Sequence, residues 1–115
     1  MNTVTYLEHQ FANLHTLFRD TVADLSDAEW LARAAPGQNR ISFIVWHMPR
    51  TQDNIVQTWI RGQAEVLHQP TWQHWQALRP YGIGTGITFA EAETVAEQVT
   101  LADTLAYAEA VQTEI

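Results

Sequence analysis

An all-α fold is what this sequence predicts, on three observations. Apolar residues recur at three-and-four spacing over residues 3–24, 40–61 and 100–115, the period of a helix with one buried face. Hydroxyl residues followed three positions later by an acid (Ser26 with Glu29, Thr88 with Glu91, Thr100 with Asp103) stand at the heads of helical patterns, where the hydroxyl can accept an early backbone N–H. No run of alternating β-branched residues argues for a sheet, and no internal repeat or low-complexity tract appears. A chain of 115 residues, 46% apolar, is expected to be one domain with a hydrophobic core of its own.

The first helix is expected over 3–24, with Val4, Leu7, Phe11, Leu14, Phe18, Val22 and Leu25 along one side. His15 falls near the edge of that stripe and His9 points away from it. Ser26 and Glu29 then open a short helix bearing Trp30 and Leu31. The run Ala35 to Asn39 breaks the chain, with Asn39 a reasonable cap for the central helix.

That central helix is expected over 40–61, stopped by Gly62. Ile41, Ile44, Val45, Met48, Ile55 and Trp59 form the stripe expected to face the core. His47 lies roughly 100° from its centre, on a flank with Thr51, Asn54 and Thr58, where a polar pocket can open. Gln52 projects near the middle of the stripe, and an unpartnered buried amide costs on the order of 1–3 kcal/mol, so a polar neighbour is required. Pro49 cannot donate to the Val45 carbonyl, which predicts a kink beside His47.

Residues 63–87 are less regular. One or two helical turns can start at Pro70, carrying Trp72 and Trp75 in an exposed or half-exposed segment, and Arg79 to Gly86 reads as loop. The Gly82–Gly86 run has neither a preceding strand nor a lysine and reads as a connector, not a phosphate cradle. Thr88 and Thr100 head the last two helices. The final one, with Leu101, Leu105, Ala108, Val111 and Ile115 on one side, has no Gly, Asn or Pro to stop it. The domain is therefore expected to be incomplete at its C-terminus.

Composition removes several chemistries. Without cysteine there are no disulfides, thiolate nucleophiles or cysteine metal sites. All six cations are arginines, so lysine Schiff bases and the Walker lysine are excluded. The formal net charge of −7 is uneven: residues 1–62 hold five Arg against six acids, and residues 63–115 hold Arg79 against seven. Nucleic acid is an unfavourable partner for such a chain. No basic leader and no 18-residue apolar run is present, so no membrane span is expected and a bacterial-type cytoplasmic protein is the default.

Five histidines invite a metal, but none forms an HExxH or HxxxH pair. His68 and His74 are six apart, matching neither one helical face nor a ligand pair, and are expected at the surface. His47, read from the residues alone, is either a hydrogen-bonded core-edge histidine or a ligand or general base, and nothing adjacent decides between them. Five tryptophans can fill a core or line a pocket; Trp59 is expected in the core. No Gly-x-Ser-x-Gly elbow is present.

At Asp24 to Trp30, Ala35 to Asn39, Phe43 to Arg50 and Asp53 to Val56 the chain resembles the DinB/YfiT-like superfamily of small metal-associated helical proteins, closely over residues 23–62 and more loosely elsewhere. The resemblance implies an up-down bundle of four helices. It also implies a divalent metal, zinc or nickel, held by one histidine of the second long helix and a histidine pair of the fourth. His47 matches the first ligand; the pair has no counterpart in these residues. Thiol-dependent transferases are among the characterised relatives, so transferase-type chemistry is implied for complete members. Two other expectations stand beside it: a non-catalytic homodimer formed through the bundle faces a fourth helix would cover, and a metal-free bundle binding a small molecule in a tryptophan-lined pocket.

Overall fold

The computed structural model describes residues 2–114. Among them the only extended pairing is an isolated antiparallel bridge between Arg33 and Arg40; the rest is helix and loop. The α-helices are α1 (Thr3–Val22), α2 (Asp27–Leu31), α3 (Ile41–Asp53), α4 (Phe89–Gln98) and α5 (Leu101–Thr113). Two 3₁₀ segments, Val66–His68 and Pro70–Tyr81, lie between α3 and α4. The helical turns at Pro70 thus run further than expected, to Tyr81, and α1 stops two residues short of the expected 24. Ile115, placed on the last helix by its periodicity, lies outside the described residues.

Helix starts obey the capping chemistry. The Ser26 hydroxyl accepts from the Glu29 N–H at 3.1 Å while the Glu29 carboxylate accepts from the Ser26 N–H at 2.9 Å, and Thr88 with Glu91 repeats the box. Thr100 accepts from the Asp103 N–H at 3.1 Å. The cap of α3 differs from expectation: it is Arg40, not Asn39, and makes no side-chain cap bond. The Arg40 guanidinium goes elsewhere, to the Leu31 carbonyl and, with Arg33, to the Glu93 carboxylate. This double ion pair fastens the loop before α3 to α4.

Arg33 and Arg40 hold the Glu93 carboxyl below its ordinary value of 4.5. A carboxylate lowered by folding stabilises at pH values above its unfolded value, and that contribution is lost as pH falls through the folded one. Thermal melts should therefore show stability falling below about pH 4.5, with a shallower fall in Glu93→Gln. Equal acid slopes for the two proteins would remove Glu93 from the explanation.

The central helix buries a different face from the one its apolar residues predict. Val45 is buried and Ile41 half-buried, but Ile44, Met48, Ile55 and Trp59 are exposed, Trp59 by 78%. The buried side is Ser42, Phe43, Trp46, Pro49, Arg50, Asp53, Val56 and Gln57. Polar partners decide this. The Ser42 hydroxyl donates to the Ala96 carbonyl of α4 at 3.1 Å; Gln57 is satisfied on one side alone, its amide oxygen accepting from Gln63 at 2.7 Å while its buried Nε2 has no partner among the described residues. Arg50 and Asp53 meet α5 and the 3₁₀ segments. A residue whose hydrogen bonds are made inside can be buried at little cost, so hydropathy alone points to the wrong face.

Pro49 does not end α3, which keeps its geometry to Asp53. The departure comes at Asn54, where the backbone widens into a π-helix, Asn54–Ile60, and the Arg61 N–H reaches back five residues to the Val56 carbonyl at 3.0 Å. Gly62, at φ 66°, is the expected stop.

The core lies where α3, α4 and α5 meet the 3₁₀ segments. Trp72 and Trp75, expected near the surface, are 4% and 2% exposed. Both meet the Tyr107 ring edge-on, at 5.2 and 5.4 Å between centroids, a favoured aromatic geometry. Trp30 is anchored by its indole N–H on the Val99 carbonyl at 3.0 Å. By contrast α1 buries only Phe18 and Val22. Among the described residues no helix is long and apolar enough to cross a membrane.

Candidate functional site

His47 stands on α3 under the glycine loop that precedes α4. Its Nδ1 bonds the Ile83 carbonyl, and its ring stacks on Phe43, with centroids 6.2 Å apart and planes 9° from parallel. A carbonyl only accepts, so Nδ1 carries the proton. In the neutral ring Nε2 is then left with its lone pair.

The loop can lie this close because of Gly84. At φ 92° it is in the region that favours glycine, and a Cβ there would stand 2.9 Å from Phe43 Cζ and 3.2 Å from Trp46 Cζ3. The glycine run, a plain connector by its sequence, is therefore the lid over the Phe43–Trp46–His47 surface. A smaller pocket of about 270 Å³ opens beside it, between Asn39, Phe43 and Thr88.

One turn further along α3, a buried polar network holds the same loop from below. Arg50 donates through Nε and Nη2 to the Gly82 carbonyl at 3.3 and 3.2 Å, and through Nη1 to Glu65 at 2.8 Å and to the Tyr107 hydroxyl at 3.1 Å. Tyr107 in turn donates to Asp53 Oδ2. Asp53, fully buried, also accepts the N–H groups of Val66 at 2.8 Å and Leu67 at 3.0 Å. Burial pushes the Tyr107 hydroxyl well up, Asp53 adding to that and Arg50 opposing it. The phenol thus stays a donor at neutral pH. Burial works against the Arg50 charge, but Tyr107 and Glu65 more than restore it and raise its value overall.

Sequence reasoning misses this network. Its signal is an arginine and an acid three apart, Arg50 and Asp53, on the helical face that also carries Phe43 and Trp46. Tyr107, 54 residues from Asp53, cannot be paired with them by any local rule.

The other histidines lie apart. The His15 ring meets Glu109 at 2.7 Å, His68 lies 3.6 Å from Glu65, and His74 lies 3.3 Å from Asp103, the last two at the surface as expected. Among the described residues no three His, Cys, Asp or Glu side chains come together as a metal cage. Gln52 borders a groove of about 370 Å³ between α1 and α3, walled by Leu14, Leu17, Phe18, Met48 and Pro49.

With the histidine, its loop and its buried support in place, comparison with known families adds the decisive observation. The family model described as the DinB superfamily matches residues 10–115. This chain belongs to the DinB superfamily. The match runs from within α1 through α5, so the π-helix and the 3₁₀ segments lie within the DinB region. No curated protein and no solved structure matches the chain. The DinB superfamily is generally metal-associated, and among the described residues His47 is the one histidine whose ring is held by a backbone carbonyl.

Proposed function

We propose that this DinB domain binds a divalent metal, zinc or nickel, with Nε2 of His47 as donor. The carrying observation is the Nδ1 bond to the Ile83 carbonyl. A metal-ligating histidine commonly gives its other ring N–H to a carbonyl or carboxylate, which fixes the tautomer and aims the free nitrogen. Phe43 stacked on the ring and Gly84 packed above Phe43 keep that orientation.

The donor set of one chain does not fit a complete centre. A tetrahedral zinc site takes three or four protein donors, and the described residues bring no cage of three together. His15, the other inward histidine, is engaged by Glu109 on α5. Thiol-dependent transfer, implied by the family resemblance, needs coordination positions defined by further ligands. The reading for these residues is therefore metal binding, with His47 as a half-site and no reaction step assigned.

Titration of the untagged chain with zinc and nickel tests this. His47→Ala should weaken binding about tenfold or more, roughly 1.4 kcal/mol, with helical circular dichroism unchanged, and His15→Ala should leave it alone. Binding indifferent to His47→Ala would put the metal elsewhere.

A further inference from the structure

We infer that Arg50 is a positioning residue for His47: through the Gly82 carbonyl it fixes the direction from which the neighbouring Ile83 carbonyl meets the imidazole. The two side chains leave α3 three residues apart, about 60° from each other around the helix, and take consecutive carbonyls of one loop. Neighbouring carbonyls of an extended chain point opposite ways. Here both turn to α3, because Gly82 stands at φ 58° and ψ −127°, a mirror-image backbone that glycine adopts readily and other residues do not. Nothing lies within 4 Å of a Cβ added at Gly82, so the turn of the chain, and not crowding, calls for this glycine.

Arg50 is itself immobilised. It is 2% exposed, and its guanidinium meets Glu65 at 2.8 Å, the Tyr107 hydroxyl at 3.1 Å and Asp53 at 3.6 Å while Nε and Nη2 face the Gly82 carbonyl. A planar fork held by so many partners does not follow the loop, so the carbonyl must come to it. Exchanging a buried ion pair for apolar side chains often costs no stability. What the guanidinium supplies, and an apolar residue would not, is an N–H edge aimed at one carbonyl.

Stacking on Phe43 sets the plane of the His47 ring but not its flip, since a half-turn within that plane exchanges Nδ1 for the carbon edge. The carbonyl makes that choice, and it also decides which nitrogen carries the proton. With Gly82 pinned by Arg50, the Ile83 carbonyl stays on Nδ1 and Nε2 keeps its lone pair. The consequence for metal rests on the reading of His47 as a donor. Groups that orient a ligating histidine typically carry about 10–100-fold in metal affinity, and Arg50, one peptide further out, is expected at the lower end.

Long-range ¹H–¹⁵N spectra of the metal-free whole chain at about pH 8, where histidine is ordinarily neutral, provide the test. The His47 signals, assigned by their loss in His47→Ala, should show the proton on Nδ1. Arg50→Lys keeps a positive charge beside Glu65 and Asp53 but replaces the fork with a compact ammonium, and the ring should become a mixture of tautomers. Gly82→Ala turns the carbonyl while touching no side chain and should do the same, which decides the matter even if Arg50→Lys does not fold. Tyr107→Phe removes a network bond but leaves the Gly82 contact, so its melting temperature should fall with the ring unchanged. A wild-type proton on Nε2, a wild-type ring in folded Arg50→Lys or in Gly82→Ala, or an equal change in Tyr107→Phe would overturn the inference. Zinc titration is read separately and should be about tenfold weaker in Arg50→Lys. If the wild type takes no zinc, or takes it equally well once the ring has changed, the donor reading fails and the spectra still decide the role of Arg50.

Discussion

Replacing Asp53 with alanine should cost about 3–5 kcal/mol, the range for breaking a buried charged partnership. On a total of about 5–15 kcal/mol for a native domain, much of the population would then unfold at modest urea concentration. The side chain satisfies the Val66 and Leu67 N–H groups and the Tyr107 hydroxyl together. Each donor left buried and unpaired costs about 1–3 kcal/mol. Arg50 would lose the fully buried Asp53 carboxylate, 3.6 Å away, and of its two carboxylate partners keep Glu65 at 2.8 Å. Urea titration followed by circular dichroism would measure the loss. A shift under about 1 kcal/mol, less than one unpaired donor costs, would mean that water reaches these donors and that the cluster is not the clamp described.

Gly84→Ala is the second large effect expected, at roughly 2–4 kcal/mol from backbone strain and overpacking combined. The new methyl would press on Phe43 and Trp46, which are 6% and 0% exposed and have no room to retreat. Relief must come from the loop lifting, which would draw the Ile83 carbonyl from His47 and the Gly82 carbonyl from Arg50. Gly86→Ala is the matched control: its φ is also positive, at 80°, but nothing lies within 4 Å of its added carbon. Thermal melts should show Gly84→Ala as clearly the less stable variant, and ¹⁵N shifts of the His47 ring should show a changed tautomer balance. Equal melting temperatures for the two alanine variants would show that the loop does not rest on the aromatic pair.

Helix positions are legible in the sequence because caps act locally. Ser26, Thr88 and Thr100 each satisfy an N–H three residues on, and such bonds can be read without knowing the tertiary structure. Which way a helix faces is not local. Met48 and Ile55 outrank Arg50 and Asp53 in hydropathy, yet the polar pair is buried because Glu65, Tyr107 and two backbone N–H groups meet it. His47 can be placed at a core edge from periodicity. Its carbonyl partner cannot, since Ile83 lies 36 residues away in a loop whose path depends on Gly84 fitting against two aromatic rings. Trp72 and Trp75 escape sequence reasoning for the same reason, as only the packing of 3₁₀ turns on Tyr107 takes them inside.

The position of Trp59 gives the protein an optical reporter that needs no label. Of its five tryptophans, Trp30, Trp46, Trp72 and Trp75 are at most 5% exposed and Trp59 is 78% exposed. Iodide in solution can collide with little besides that one indole, so the quenchable part of the native emission belongs to the π-helix. The remaining four emit from behind the core, where quencher reaches them only when the chain opens. One spectrum thus separates two events: shielding of Trp59 reports contact at the α3 face, and quenching of the others reports unfolding.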